Sequence, residues 1–253
     1  MDPARVAVIL IDLQADFCDP DARGQTANVA TAQRAQAFAG EAAALGARVV
    51  YTRQVLDPLH LTARQQRAAA GEQLCRAGTP GAELAVAPLH GAAVVTKHRF
   101  DIWQSDEFTR QLDDWGIEGL VLGGVEIACC VLYAVLGAAE RGYDYAVPLD
   151  LVSGQDVTEG TDNAAARNLL RHNHADRVVH SSAELLEAWR CRFAPSHEGT
   201  ARGMTSPPVP QPQPPSPSPS PVDPVPPPTP APVPQPTPSD PTVPPPTPSP
   251  GPV

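Results

Sequence analysis

Three short apolar runs in this chain lead into residues able to do chemistry. VAVILI (6 to 11) runs into Asp12, AVVT (93 to 96) runs into Lys97, and GLVLGGV (119 to 125) is followed after three residues by the pair Cys129 and Cys130. A carboxylate can take a thiol's proton and return it to a leaving group. An ammonium can hold thiolate and carboxylate together, and backbone N–H groups at a helix start can receive an oxyanion. The cysteines open ACCVLYAVLGAAERG, a segment of helical composition that closes on Gly142, a suitable C-cap. A thiol in a first helical turn meets unpaired N–H groups and the positive end of the dipole, which predicts a lowered pKa. Neighbours on a helix diverge by about 100°, so only one of the two thiols can face a given site. Taken singly, each of these residues also has an ordinary role: a cap, a solvated strand end, a small core residue.

The groups act together only if one edge of the fold gathers them. Short apolar runs at 6 to 11, 47 to 52, 92 to 96, 118 to 125, 143 to 149 and 176 to 180 alternate with helical patterns at 29 to 46, 105 to 116, 128 to 142, 157 to 172 and 181 to 193. The last of these opens with a capping-box signature at Ser181 and Glu184. The strands are apolar on both faces, as in a parallel sheet covered by helices on each side. The expected fold is a three-layer α-β-α, Rossmann-like α/β domain with about six parallel strands. Ligands of such sheets bind beyond the carboxyl ends of the strands, which is where Asp12, Lys97 and the cysteines fall.

Composition divides the chain. Residues 1–195 have ordinary apolar content and enough length for one sizeable core. Residues 196–253 hold 25 of the 32 prolines and almost no large apolar side chains. They cannot bury a core and are expected to form a disordered, proline-rich tail rich in polyproline II. Such a tail is either a spacer or a ligand for polyproline-binding domains. The net charge of −10 argues against a nucleic-acid or anionic-membrane surface, and no apolar run reaches 18 residues. The expected partner is a small-molecule substrate, the expected compartment the cytoplasm, and the expected assembly a homo-oligomer. Five cysteines (Cys18, Cys75, Cys129, Cys130, Cys191) without metal spacing read as free thiols.

Four blocks in order, VILIDLQADF, GTPGAEL (78 to 84), VVTKHRFDIW (94 to 103) and GGVEIACCV (123 to 131), resemble the isochorismatase-like cysteine hydrolases, which include nicotinamidases and N-carbamoylsarcosine amidase. The resemblance runs from about Val6 to Ala188. The family's nucleophile block, Gly-Val-x-Thr-x-x-Cys-Val, fits Gly124 to Val131 without a gap and places the nucleophile at Cys130. The resemblance implies Asp12 as proton acceptor and donor, Lys97 as charge partner, and a covalent acyl-enzyme. It further implies backbone N–H groups of Glu126 and Cys130 as the oxyanion hole, beside a cis peptide before Glu126, with Phe17 and Trp103 near the substrate. Ordinary core packing is an equal reading of those two aromatics.

Departures from the pattern carry information. The motif threonine is Ile127 here, which removes a hydroxyl that would order the loop. The nicotinamidase branch has an aspartate and histidines after its second strand. Here YTRQVLDPLHLT puts Gln54 and Leu56 at the first two places and leaves Asp57 and His60, a poor metal set. No metal and no cofactor are expected. The function this supports is metal-independent hydrolysis of a C–N bond in a small amide or ureide. The alternatives are vinyl ether hydrolysis, with the aspartate as acid and the thiol idle, and a non-catalytic binding module.

Overall fold

The first strand, β1 (Val6–Ile11), shows why the sheet is buried on both sides: all six residues are buried, and alternate ones face opposite layers. Val6, Val8 and Leu10 pack with Ala32, Ala35, Phe38, Ala39 and Ala42, and with Leu186 and Trp189. Ala7, Ile9 and Ile11 pack with Phe108, Leu112, Val135, Ala138 and Leu170. Full burial of a side chain of this size contributes about 1.5–3 kcal/mol, so a strand apolar on both faces is held only when helices cover each.

The structure is a computed structural model that describes residues 1–19, 26–68, 74–154, 162–179 and 181–193. The tail expected over 196–253 lies outside the described residues. The remaining strands are β2 (Arg48–Gln54), β3 (Ala93–Lys97), β4 (Gly119–Gly124), β5 (Asp144–Pro148) and β6 (Val178–Val179). All pair in parallel, in the order β3-β2-β1-β4-β5-β6. The helices are α1 (Ala15–Cys18), α2 (Thr26–Ala44), α3 (Ala63–Ala68), α4 (Asp106–Asp114), α5 (Leu132–Glu140), α6 (Asp162–Asn173) and α7 (Ser182–Phe193). The six-stranded parallel sheet flanked by helices is the architecture expected from the sequence. Helices α2 and α7 cover one face and α4, α5 and α6 the other. Among the described residues, no helix is long and apolar enough to cross a membrane.

Local chemistry sets the helix ends. Ser105 caps α4 by accepting from Phe108 N–H, and Asp106 and Glu107 occupy its first turn. Gly142, at φ +73°, ends α5 as its position predicts. Ser181 Oγ accepts from Ala183 N–H at the start of α7. One expected helix differs: residues 127–131 form a π turn before α5 begins at Leu132. Its wide winding is closed by Val131 N–H on Glu126 O at 3.2 Å, five residues back.

The order in which strands are added reverses between β1 and β4, since β2 and β3 lie to one side and β5 and β6 to the other. That is the switch point at which open α/β sheets form clefts. The ends of β1 and β4 meet closely there. Gly124 is at φ +124°, and a Cβ on it would fall 2.1 Å from Ile11 O, so only glycine fits.

Candidate active site

Asp12 follows β1 in the left-handed region, φ +52°, a conformation that aspartate tolerates better than most residues. Thr52 on β2 pins it from two directions. Its hydroxyl accepts from Asp12 N–H at 3.1 Å and donates to Asp12 Oδ1 at 2.6 Å. The other oxygen, Oδ2, has Lys97 Nζ at 2.7 Å. Both side chains are withdrawn from solvent, Asp12 at 0% and Lys97 at 2% exposure.

Lys97 ends β3, two strands away. Besides Asp12, its Nζ donates to Gln54 Oε1 at 3.0 Å, Arg99 O at 3.1 Å and Cys130 Sγ at 3.4 Å. The ammonium thus touches the carboxylate and the thiol at once. Burial opposes its charge, but Asp12 and Cys130 outweigh that and raise its pKa above the ordinary value. Lys97 is a permanent cation at physiological pH.

Cys130 is the buried member of the cysteine pair and lies in the π turn, whereas Cys129 is half-buried. The contact with Lys97 places Cys130 in the site. The thiol does not behave as a first-turn position alone predicts. Its hydrogen bond with Cys129, its burial and the Asp12 carboxylate push it well above the ordinary 9.0, and Lys97 only partly opposes them. At rest Cys130 is a neutral thiol, and its S–H points to Gln54 Oε1 at 3.4 Å. The bond with Cys130 lowers the Cys129 thiol, against its own burial.

Gln54 was not among the residues the motifs selected for catalysis. Its side-chain oxygen lies between Lys97 and Cys130, and its backbone is clamped by Gln14, which accepts from Gln54 N–H at 2.8 Å and donates to Gln54 O at 2.8 Å. The signal was present in the sequence, because Gln54 ends β2 as Asp12 follows β1 and Lys97 ends β3. Asn28 and Ser153 were likewise missed. Ser153 Oγ donates to Asn28 Oδ1 at 2.7 Å, and Asn28 Nδ2 donates to Glu126 Oε1 at 2.9 Å, which fixes the Glu126 side chain.

A cavity of about 920 Å³ opens over Cys130. Phe17, Leu56, Leu74, Phe100, Leu132 and Leu169 make its walls apolar, and Gln54, Glu126 and Cys129 add polar groups. Phe17 lies in this wall. Trp103 does not: it is buried in the core, its indole N–H donates to Ala134 O at 3.0 Å, and its ring fills the space over Gly137, where a Cβ would meet it at 1.9 Å. The reason is its place in the turn before α4, which packs the ring under α5. Ile127 is fully buried in the core, so apolar packing holds the loop where the motif's threonine would use a hydroxyl. The Val125–Glu126 peptide is cis.

The isochorismatase domain family model matches residues 6–176. Among solved structures, the chain is similar to an isochorismatase family protein from Desulfovibrio vulgaris subsp. vulgaris str. Hildenborough, at 25% identity and a TM-score of 0.63 over 73% of this chain and 98% of that one. It is also similar to a cysteine hydrolase from Pseudomonas syringae pv. phaseolicola 1448A, at 20% identity and TM-score 0.66, covering 76% and 95%. A pyrazinamidase of Pyrococcus horikoshii in complex with zinc gives 21% identity and TM-score 0.59, covering 69% and 97%. The last two likenesses concern the fold alone. A comparison with curated proteins gives no match.

Zinc does not fit the residues that occupy the corresponding loop here. Asp57 Oδ2 is 3.1 Å from His60 Nδ1, and the His60 ring stacks on His98 with centroids 3.7 Å apart and planes 4° from parallel. Lone pairs of rings stacked this way run side by side and do not converge on one ion. Among the described residues, no group of three or more His, Cys, Asp or Glu is placed to hold a metal.

Proposed function

Since the chain belongs to the isochorismatase family of hydrolases, we propose that it is a cysteine hydrolase that cleaves the C–N bond of a small amide or ureide without a metal. One observation carries this reading: Lys97 Nζ contacts Asp12 Oδ2 at 2.7 Å and Cys130 Sγ at 3.4 Å within the same buried site.

Because the resting thiol is neutral, attack begins with transfer of its proton to Asp12, whose Oδ2 lies 2.7 Å from Lys97 Nζ. The thiolate forms beside the Lys97 cation and attacks the substrate carbonyl carbon. The backbone N–H groups of Glu126 and Cys130 receive the oxyanion. Asp12 then passes its proton to the leaving nitrogen, the C–N bond breaks, and an acyl thioester remains on Cys130. Water, deprotonated by Asp12, attacks the thioester. The acid is released and the proton returns to the thiol. Phe17 and the leucines of the cavity suit a substrate with an apolar body.

The test is ammonia release from a panel of primary amides, ureides and imides graded in apolar size, with wild-type protein and Cys130→Ala side by side. Turnover by wild type that falls at least about 10³-fold in Cys130→Ala supports the mechanism. Vinyl ether hydrolysis that survives Cys130→Ala would overturn it in favour of chemistry by Asp12 alone.

A further inference from the structure

The loop between β4 and the π turn is gripped twice by one residue, Ser153, which follows β5. Its carbonyl accepts from Ile127 N–H at 2.8 Å, and its own N–H donates to Gly124 O at 3.2 Å. Its hydroxyl donates to Asn28 Oδ1 at 2.7 Å, and Asn28 Nδ2 donates to Glu126 Oε1 at 2.9 Å. The main chain at Ile127 and the side chain of Glu126 are thus closed into one ring of hydrogen bonds through Ser153 and Asn28. The ring is dry, with Asn28 at 0% and Ser153 at 7% exposure, so water does not compete for its bonds. The next residue presses on the same place. A Cβ on Gly154 would fall 2.7 Å from Glu126 Oε2 and 3.1 Å from Ile127 N.

An oxyanion donor acts through its aim. It must lie about 2.7–3.1 Å from the place the oxygen takes in the transition state, and an error of about 1 Å can cost about 10²-fold in rate. The direction of the Glu126 N–H is set by the backbone on either side of it. Val125 N–H, which donates to Ile11 O at 2.9 Å, fixes the preceding residue, and the ring fixes Glu126 from its own side chain and from Ile127. Ile127 has no hydroxyl with which to order this loop. Its packing keeps the loop in place, and the directional bonds from α2 and from the residues after β5 set its rotation.

We propose that Asn28 and Ser153 are positioning residues for the hydrolysis, acting through the Glu126 side chain to aim the Glu126 backbone N–H at the oxyanion. The proposal rests on the hydrolase reading for the place of the oxyanion. Neither residue lines the cavity over Cys130, so neither acts by touching substrate.

The experiment treats the full chain with two probes of Cys130, benzaldehyde and iodoacetamide. The thiol adds across the aldehyde C=O, forming a C–S bond and passing its proton to the oxygen, and that oxygen takes the place of the oxyanion. Alkylation by iodoacetamide forms a C–S bond with loss of iodide and the thiol proton, and develops no oxyanion. Carbon NMR of carbonyl-labelled benzaldehyde reads the first, and peptide mapping at pH 9.5 reads the second. Asn28→Ala should weaken the Cys130 adduct at least about tenfold, and Ser153→Ala at least about threefold, the worth of one hydrogen bond. Both should leave the alkylation rate of Cys130 unchanged. Tyr51→Phe, which removes a different bond to α2, from Tyr51 Oη to Gln36 Oε1 at 2.8 Å, should bind benzaldehyde as wild type does. If Asn28→Ala does not fold, Ser153→Ala, which keeps the backbone bonds of the loop, carries the test. With any amide that wild type hydrolyses, kcat should fall in the same order at nearly constant KM. Equal losses of adduct and alkylation, an adduct that either variant keeps at wild-type strength, or no adduct in wild type that depends on Cys130 overturns the proposal. A wild-type adduct weakened as expected, without turnover of any amide, ureide or imide, overturns the hydrolase reading alone.

Discussion

Replacing Lys97 by methionine should destabilise the protein more than any surface substitution, for a reason that the geometry makes quantitative. The side chain has nearly the same length and keeps the packing, but removes the charge. Asp12 Oδ2 would then lose the cation that lies 2.7 Å from it, while Oδ1 would keep the Thr52 hydroxyl at 2.6 Å. Breaking a fully buried ion pair by removing one partner costs about 3–5 kcal/mol. At about 2–4 °C per kcal/mol for a domain of this size, Tm should fall by roughly 6–20 °C. Asp12→Asn on the Lys97→Met background removes the stranded charge, keeps an acceptor for Thr52, and tolerates the left-handed backbone at φ +52°. The double variant should therefore melt above Lys97→Met. Calorimetric scans of the four proteins at one pH measure the cycle, with an expected coupling of at least about 2 kcal/mol. A Lys97→Met protein melting within about 2 °C of wild type, or a double variant no more stable than it, would refute the idea that Asp12 and Lys97 form a charged, desolvated pair.

Brief iodoacetamide treatment of the free protein at pH 7.5 should label Cys129 before Cys130, since Cys129 is half-buried with a lowered pKa and Cys130 is buried with a raised one. Labelling of Cys130 should accelerate as pH rises above 9, and peptide mapping checks both statements. Burial pushes the Cys18 thiol up to about 12 from 9.0, with Glu126 and Asp12 adding to the effect. A raised folded pKa means stability that is complete below pH 9 and lost as pH climbs toward 12, at up to about 1.4 kcal/mol per pH unit. Urea titrations in reductant at pH 8.5, 9.5 and 10.5 should accordingly show a shallower decline for Cys18→Ala than for wild type. Gln54→Leu removes the acceptor shared by Lys97 and Cys130 and should cost about 1.5–3 kcal/mol, the worth of a hydrogen bond to a charged group; equal Tm values for variant and wild type would contradict this.

Much of the architecture was legible because its determinants are local. A strand that must be apolar on both faces leaves a continuous run such as VAVILI, and a helix end leaves Ser105 or Gly142. Strand ends in a parallel sheet share one edge, so Asp12, Lys97 and Cys130 could be grouped from spacing alone. Resemblance in four blocks chose between the two cysteines. Gln54 escaped notice because an amide has no charge or nucleophilicity to attract attention, although it ends a strand beside the others. Trp103 could be read equally toward the substrate or into the core, because its direction depends on a glycine 34 positions later, Gly137, that leaves room for the ring.

The thiol's state shows most clearly where the sequence stops. A helix-start position predicts an activated cysteine, since the local dipole is all that the sequence displays. In the folded chain Cys130 also meets Cys129, the Asp12 carboxylate and the loss of water, and these together outweigh Lys97. Sequence by itself determined the order of strands and helices along the chain, the family, and the placing of Asp12, Lys97 and the cysteines at one edge of the sheet. Only the tertiary structure decided how those charges balance, because a pKa depends on distances and burial, and Asp12 and Lys97 each lie more than 30 positions from Cys130 in the chain.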